Sequence, residues 1–179
     1  MRAHHVPARS SAHRPGLLRQ TRGAGVVAAV GLSLLLTACS GADRNERSEA
    51  LLETGFRQLI ADSASAIPSS AAVVCIGLGA VDGLVDAPPR VMGALGDPET
   101  DIRPASDCSL GPPAYETLTG RPAVIFHIRG IDCDSGDRCT FRGGWYLGNL
   151  GASETHYLAE RHAGRWVADR DPAAPETIS

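Results

Sequence analysis

The stretch AVIFHIR at residues 123–129 decides the fold of this chain, because it places β-branched and aromatic residues in strand-like alternation. Val124, Phe126 and Ile128 occupy one parity, and the other parity begins with Ile125 and then turns polar. The pattern predicts a β-strand that presents a continuous apolar face to the core.

The chain after this strand predicts an antiparallel meander. Further segments with strand composition lie at residues 139–150, 155–161 and 165–168. Gly143 and Gly144 within the first of these predict a β-bulge. Between the last two, Gly164 can supply the positive φ of a tight hairpin turn.

The chain before this strand predicts two helices and a buried strand. Residues 46–63 form an amphipathic helix in which Leu52, Phe56, Leu59 and Ile60 share one face.

Residues 71–78 are apolar on both parities, which indicates a strand buried on both sides. Prolines near the start of residues 86–96, and a glycine near the end, predict a short second helix. Residues 97–113, rich in Pro, Asp and Ser, predict a loop that contains Cys108.

The N-terminal segment, residues 1–38, has the composition of an export leader. It holds five arginines and no acidic residue, and residues 25–36 form an apolar run of about a dozen residues. Such a run is shorter than the roughly 20 residues that span a bilayer.

Removal of this leader would leave 12 of the 17 basic residues and all 20 acidic residues, a net charge of −8. An acidic domain of this kind argues against nucleic acid as a partner.

The sequence LTAC at residues 36–39 follows the apolar run and resembles the lipobox of bacterial lipoproteins. The resemblance implies cleavage before Cys39, acylation of Cys39 and anchoring in membrane lipid. Ser40 then favours forwarding to the periplasmic face of the outer membrane in a two-membrane bacterium. The alternative is an ordinary signal peptide cut at Ala38 or later, with Cys39 left over.

The remaining cysteines are Cys75, Cys108, Cys133 and Cys139, an even number in an exported chain, which allows three disulfide pairings. A turn-rich loop separates Cys133 from Cys139, so a local bridge is the easiest one and leaves Cys75 for Cys108. Four free thiols are the alternative. A zinc site is less favoured because there is no CxxC pair.

These elements predict one α+β domain over residues 46–170, preceded by a lipidated tether at residues 39–45 and followed by a flexible tail at residues 171–179. Its N-terminal helix should pack on a curved antiparallel sheet of about four or five strands, stapled by two disulfides. The plan is similar to cystatin-like and NTF2-like folds, a resemblance that implies no catalytic residue.

The candidate metal ligands are Asp132, Asp134 and Asp137, which crowd one loop with calcium-like spacing. The twelfth position of that loop is Gly143 where a calcium loop has glutamate, so we expect a solvated turn and no metal. No cofactor motif is present in the sequence, and no cofactor is expected.

The candidate binding residues are His127, Trp145 and Tyr157. The histidines of the exported part (His127, His156 and His162) are interpreted as structural or exposed. Aromatic residues on neighbouring strands are interpreted as core packing, with a ligand-contacting surface as the alternative.

The Gly-x-Ser-x-Gly elbow of serine hydrolases is absent. We therefore expect a non-catalytic envelope lipoprotein with a binding or structural role and an envelope protein as a further partner. One alternative is an NTF2-like small-molecule-binding protein or enzyme, with His127 or an acid in its cavity. The other is an inhibitor of a periplasmic hydrolase that acts through the Cys133–Cys139 loop.

Overall fold

The computed structural model describes the backbone of residues 31–65, 67, 73–96, 100–174 and 177–178. Within these ranges it describes side chains from residue 43 to residue 174, apart from Leu150. Most of the leader and the side chain of Cys39 therefore lie outside the described residues. The chain divides into two units, Met1–Thr37 and Ala38–Ser179, and the second contains every described strand.

The second unit is an α+β domain with two disulfides. The α-helices in the described part of the chain are α1 (Gly31–Ser63), which begins before Ala38, and α2 (Pro89–Leu95). Its strands are β1 (Val73–Leu78), β2 (Val85–Asp86), β3 (Ile102–Pro104), β4 (Cys108–Ser109), β5 (Tyr115–Glu116), β6 (Ala123–Ser135), β7 (Arg138–Tyr146), β8 (Ala152–His162), β9 (Arg165–Arg170) and β10 (Thr177–Ile178). No helix in the described part of the chain is long and apolar enough to cross a membrane.

The sheet is larger than predicted, and it is mixed. Within the described residues, eight strands form one sheet with β10, β8, β7, β6, β1 and β2 in that order, while β3 pairs with β1 and β9 with β8. Strand β1 runs parallel to both β6 and β3. The prediction of an antiparallel sheet with about four or five strands was therefore wrong. A long connection between β1 and β6 permits parallel pairing, which a short hairpin cannot reach.

The predicted meander is confirmed over β6, β7, β8 and β9, which pair antiparallel in sequence order. The last turn has Ala163 and Gly164 at φ 50° and 84°, the left-handed backbone of a tight hairpin.

The predicted bulge at Gly143 and Gly144 is wrong. These residues pair in regular register with Ile128 and His127, and the irregularities of this ladder lie beyond Arg129.

Two other segments are more ordered than the sequence suggested. The predicted loop at residues 97–113 contains β3 and β4, and the predicted flexible tail contains β10, which pairs with the outer edge of β8. The short helix predicted within residues 86–96 is present as α2.

The two faces of the sheet have separate cores. On the face that we call the helix side, Val124, Phe126 and Ile128 of β6 pack with buried residues of α1 and α2. On the opposite face, Ile125 packs in a smaller cluster with β1 and with Cys108 of β4. Alternate residues of the 123–129 stretch thus face opposite sides of the sheet, and each set contributes to a different core.

Both predicted cysteine pairs lie at disulfide distance. Cys75 of β1 joins Cys108 of β4 with Cα atoms 6.4 Å apart, and this bridge holds the β4–β5 ribbon against the opposite face. Cys133 joins Cys139 across the outer part of the β6–β7 hairpin, with Cα atoms 4.0 Å apart.

Candidate functional site

A pocket of about 380 Å³ lies on the helix side, where the C-terminal end of α1 meets β7, β8 and β9. Its walls combine two aromatic side chains, hydroxyl groups and one pair of opposite charges. The residues that define it are Asp62, Ser63, Trp145, Thr155, Tyr157 and Arg170.

The carboxylate of Asp62 is the polar centre of the pocket. Its Oδ2 accepts hydrogen bonds from Arg170 Nε at 2.9 Å and from the Tyr157 hydroxyl at 3.2 Å. Its Oδ1 accepts a hydrogen bond from Gln58 Nε2 at 2.9 Å. Both carboxylate oxygens are therefore hydrogen-bonded. Oδ2 accepts from the Arg170 cation and the Tyr157 hydroxyl, and Oδ1 accepts from the Gln58 amide.

The phenol of Tyr157 stays protonated and acts as a hydrogen-bond donor. Burial raises the pKa of Tyr157 well above its ordinary value, and the nearby negative charge of Asp62 raises it further. Its ring is 1% exposed and stacks on Phe141 with centroids 5.1 Å apart.

Gly143 gives the Tyr157 ring its space, because a Cβ there would lie 3.0 Å from Tyr157 Cε2 and 3.2 Å from Leu59 Cδ2. The glycine that the sequence suggested as a bulge is in fact a packing requirement of the pocket.

Two buried hydroxyl-bearing side chains belong to the pocket wall. Ser63, at the end of α1, is 4% exposed, and Thr155 of β8 is 8% exposed. Trp145 of β7 is partly buried and packs at the edge of the helix-side core. The wall thus offers an apolar aromatic surface close to polar groups, which is typical of small-molecule sites.

A separate charged network occupies the opposite face. His127 is 3% exposed, and its Nε2 lies 3.5 Å from Oε2 of Glu154. Arg129 donates to both oxygens of Glu154, each at 2.6 Å. These bonds from Arg129 hold the pKa of Glu154 below its usual range.

The imidazole of His127 is kept neutral by its surroundings. Burial lowers the pKa of His127, and the Glu154 carboxylate offsets this only in part. In the described part of the chain, its buried Nδ1 has no hydrogen-bond partner. These observations fit a neutral ring that directs its Nε2–H toward Glu154.

The structure brings together two of the three predicted binding residues. Trp145 and Tyr157 both line the pocket, whereas His127 lies on the opposite face of the sheet. The alternative hypothesis named His127 or an acid in a cavity, and in this pocket the acid is Asp62, while His127 lies outside it.

Asp62 and Arg170 were missed by the sequence interpretation. They lie 108 residues apart, at a helix end and a strand end, and no local pattern relates them.

The predicted weak metal candidates lie near the tip of the β6–β7 hairpin. Asp132, Asp134 and Asp137 are all exposed, and arginines approach two of them, with Arg138 3.7 Å from Asp134 and Arg161 3.5 Å from Asp137. Among the described residues, no group of three His, Cys, Asp or Glu side chains is placed to hold a metal ion.

No protein-family model, curated protein or solved structure matches this chain. The fixed donors and acceptors of the pocket can orient a ligand, and its aromatic wall can cover the ligand's apolar surface.

Proposed function

We propose that this protein is a lipid-anchored protein of the cell envelope whose exposed domain binds a small molecule without catalysis. The observation that carries the proposal is the helix-side pocket. Its volume of about 380 Å³ falls in the range of roughly 300–1,000 Å³ typical of ligand sites. Trp145 and the Asp62 centre supply the apolar wall and the few fixed polar groups that such sites contain.

The hydrogen bonds and ion pair of the pocket groups support a binding function over a catalytic one. Asp62 is held by three donors, which suits a fixed acceptor better than a mobile general base. Tyr157 remains a neutral donor, and His127 is on the other face. The pocket groups are therefore suited to fixing the orientation of a bound molecule.

The lipobox-like sequence LTAC at residues 36–39 supports the anchoring half of the proposal. Each acyl methylene buried in a bilayer contributes about 0.8 kcal/mol, so two or three chains on Cys39 would hold the domain firmly. Residues 39–45 form part of α1, so few residues would separate the acylated cysteine from the folded domain.

The anchor is tested by replacing its cysteine. We expect Cys39→Ala to move the protein from the membrane fraction to the soluble fraction, because without the thiol no diacylglycerol can be attached. Mass spectrometry of the wild-type protein should show an acylated N-terminal peptide that begins at Cys39. Ser40→Ala is the matched control and should stay in the membrane fraction. An unmodified Cys39 in the wild-type protein would contradict the anchor.

The pocket is tested by a ligand-induced shift in thermal stability. We expect at least one compound of a small-molecule library to raise the melting temperature, since a ligand at 100 times its Kd stabilises the folded state by about 2.7 kcal/mol. Trp145→Ala should abolish this shift because it removes the aromatic wall.

Tyr146→Ala is the matched control for that experiment. Tyr146 is the next residue of β7, but it packs with the cluster on the opposite face. The control should retain the ligand-induced shift. Equal loss of the shift in both variants would show that the ligand does not bind in this pocket.

A second candidate function is inhibition of a periplasmic hydrolase by the β6–β7 hairpin. Residues 130–138 of this hairpin are exposed, and the Cys133–Cys139 bridge closes its tip. The backbone N–H of Arg161 donates to the Asp137 carbonyl at 2.8 Å and braces the tip. An inhibitor of this kind would lose its effect on a purified envelope hydrolase in C133A/C139A, while ligand binding in the pocket persists.

A further inference from the structure

We propose that the ligand of the helix-side pocket is a neutral saccharide. This inference rests on the proposed function, since it names the class of molecule that the pocket binds. It is carried by three features of the wall: balanced charge, a concentration of hydroxyl groups and an exposed part of an indole ring.

The charge of the wall is balanced. Among the described residues that line the pocket, Asp62 and Arg170 carry charge, and they form an ion pair with Nε and Oδ2 2.9 Å apart. A charged ligand would lose its hydration on entry and meet no net opposite charge in return. A neutral ligand does not have this penalty.

The polar groups of the wall suit a ligand with several hydroxyl groups. Ser63, Ser65, Ser153 and Thr155 all line the pocket, and each hydroxyl can donate one hydrogen bond and accept others. A saccharide carries the same kind of group at neighbouring ring positions. Ser63 and Thr155 are more than nine-tenths buried, so bulk solvent has little access to either side chain.

The aromatic group of the wall suits the other surface of a sugar ring. Trp145 is partly exposed at the pocket, and its indole combines a large apolar face with one N–H donor. The C–H groups on one side of a pyranose ring form an apolar patch of similar extent. With about 380 Å³, the pocket lies near the small end of ligand sites, which suits a short saccharide unit.

The test uses the acylated protein purified in a detergent whose head group contains no sugar. The probes are maltotriose, cellotriose and triacetylchitotriose, titrated by isothermal calorimetry. We expect one of them to bind, and Thr155→Val to weaken that binding about 3- to 10-fold. The substitution keeps the shape of the side chain and removes one hydrogen-bonding group.

Thr140→Val is the matched control, because Thr140 is an exposed residue of β7 whose side chain points away from the helix side. We expect it to leave the affinity unchanged. Comparable far-ultraviolet circular dichroism of the two variants would show that both are folded. Equal weakening by the two substitutions would overturn the assignment of this pocket to the saccharide.

The remaining outcomes separate the saccharide class from the binding function. If no saccharide binds, but another compound produces a thermal shift that Trp145→Ala abolishes, the saccharide class is overturned and the pocket remains a binding site. If no compound of either kind binds, both proposals fail.

Discussion

Replacing both Cys75 and Cys108 with alanine is expected to lower the free energy of unfolding by about 3.5 kcal/mol. The bridge closes a loop with a sequence separation of 33, and the entropy that it removes from the unfolded chain corresponds to a stabilisation of that size. Cys75 belongs to β1 and is fully buried against the β4–β5 ribbon, so the loss of its sulfur also leaves a small void. Urea unfolding of the oxidised wild-type protein and of C75A/C108A measures the difference.

The second disulfide provides the control for this prediction. The Cys133–Cys139 bridge closes a loop with a separation of only 6, for which the same entropy argument gives about 2 kcal/mol. Its hairpin is also held by the β6–β7 and β7–β8 ladders, which should reduce the effect of C133A/C139A further. A larger loss of stability in this variant than in C75A/C108A would contradict the entropic explanation.

The parts of the fold that could be predicted are those set by local pattern. Alternation over residues 123–129 defined the inner part of β6, and the turn at Gly164 defined the hairpin that follows β8. Local spacing also favoured the bridge between Cys133 and Cys139. Each of these features depends on residues that are close in the chain.

The parts that could not be predicted depend on pairings between distant segments. The apolar run at residues 71–78 indicated a buried strand, but nothing in it specifies a parallel partner. Asp62 and Arg170 likewise meet only after the end of α1 and the end of β9 have been placed against one another. Composition and periodicity do not contain that information.

Register between strands decides which candidate residues share a face, so the sequence alone left open whether His127 would lie beside Trp145 and Tyr157. The parity of His127 along β6 is clear from the sequence, but a face of the sheet is shared only by residues that pair across strands. His127 pairs with Gly144, while the neighbouring Gly143 faces Tyr157 and the pocket. A shift of one residue in this register would have exchanged the two glycines and placed the imidazole on the pocket side.

Gly144→Ala is the second change for which we expect a large effect, a loss of about 2–3 kcal/mol in the free energy of unfolding. A Cβ at this position would lie 2.6 Å from His127 Cε1 and 2.6 Å from the Ser153 carbonyl oxygen. The carbonyl belongs to the backbone of β8 and cannot rotate away, so β7 and β8 must separate or the imidazole must leave its place beside Glu154. Overpacking of this kind typically costs about 1–3 kcal/mol.

The sign of this effect distinguishes close packing from backbone preference. In an open position, replacing glycine with alanine stabilises a protein by about 0.4–1 kcal/mol, because alanine has less conformational freedom in the unfolded chain. Gly93 of α2 is such a position, since a Cβ there would meet no atom within 4 Å. We therefore expect Gly93→Ala to raise the urea midpoint and Gly144→Ala to lower it.

Ligand binding adds a second measurement to the same pair of variants. Gly144 faces His127, but the Ser153 carbonyl that its Cβ would meet belongs to a residue that lines the pocket. We therefore expect Gly144→Ala to weaken ligand binding as well, whereas Gly93→Ala should keep the affinity of the wild type. A Gly144→Ala protein as stable as the wild type would show that β7 and β8 can separate at this point without a loss of stability. In that case the close contact with His127 would not be what requires glycine at this position.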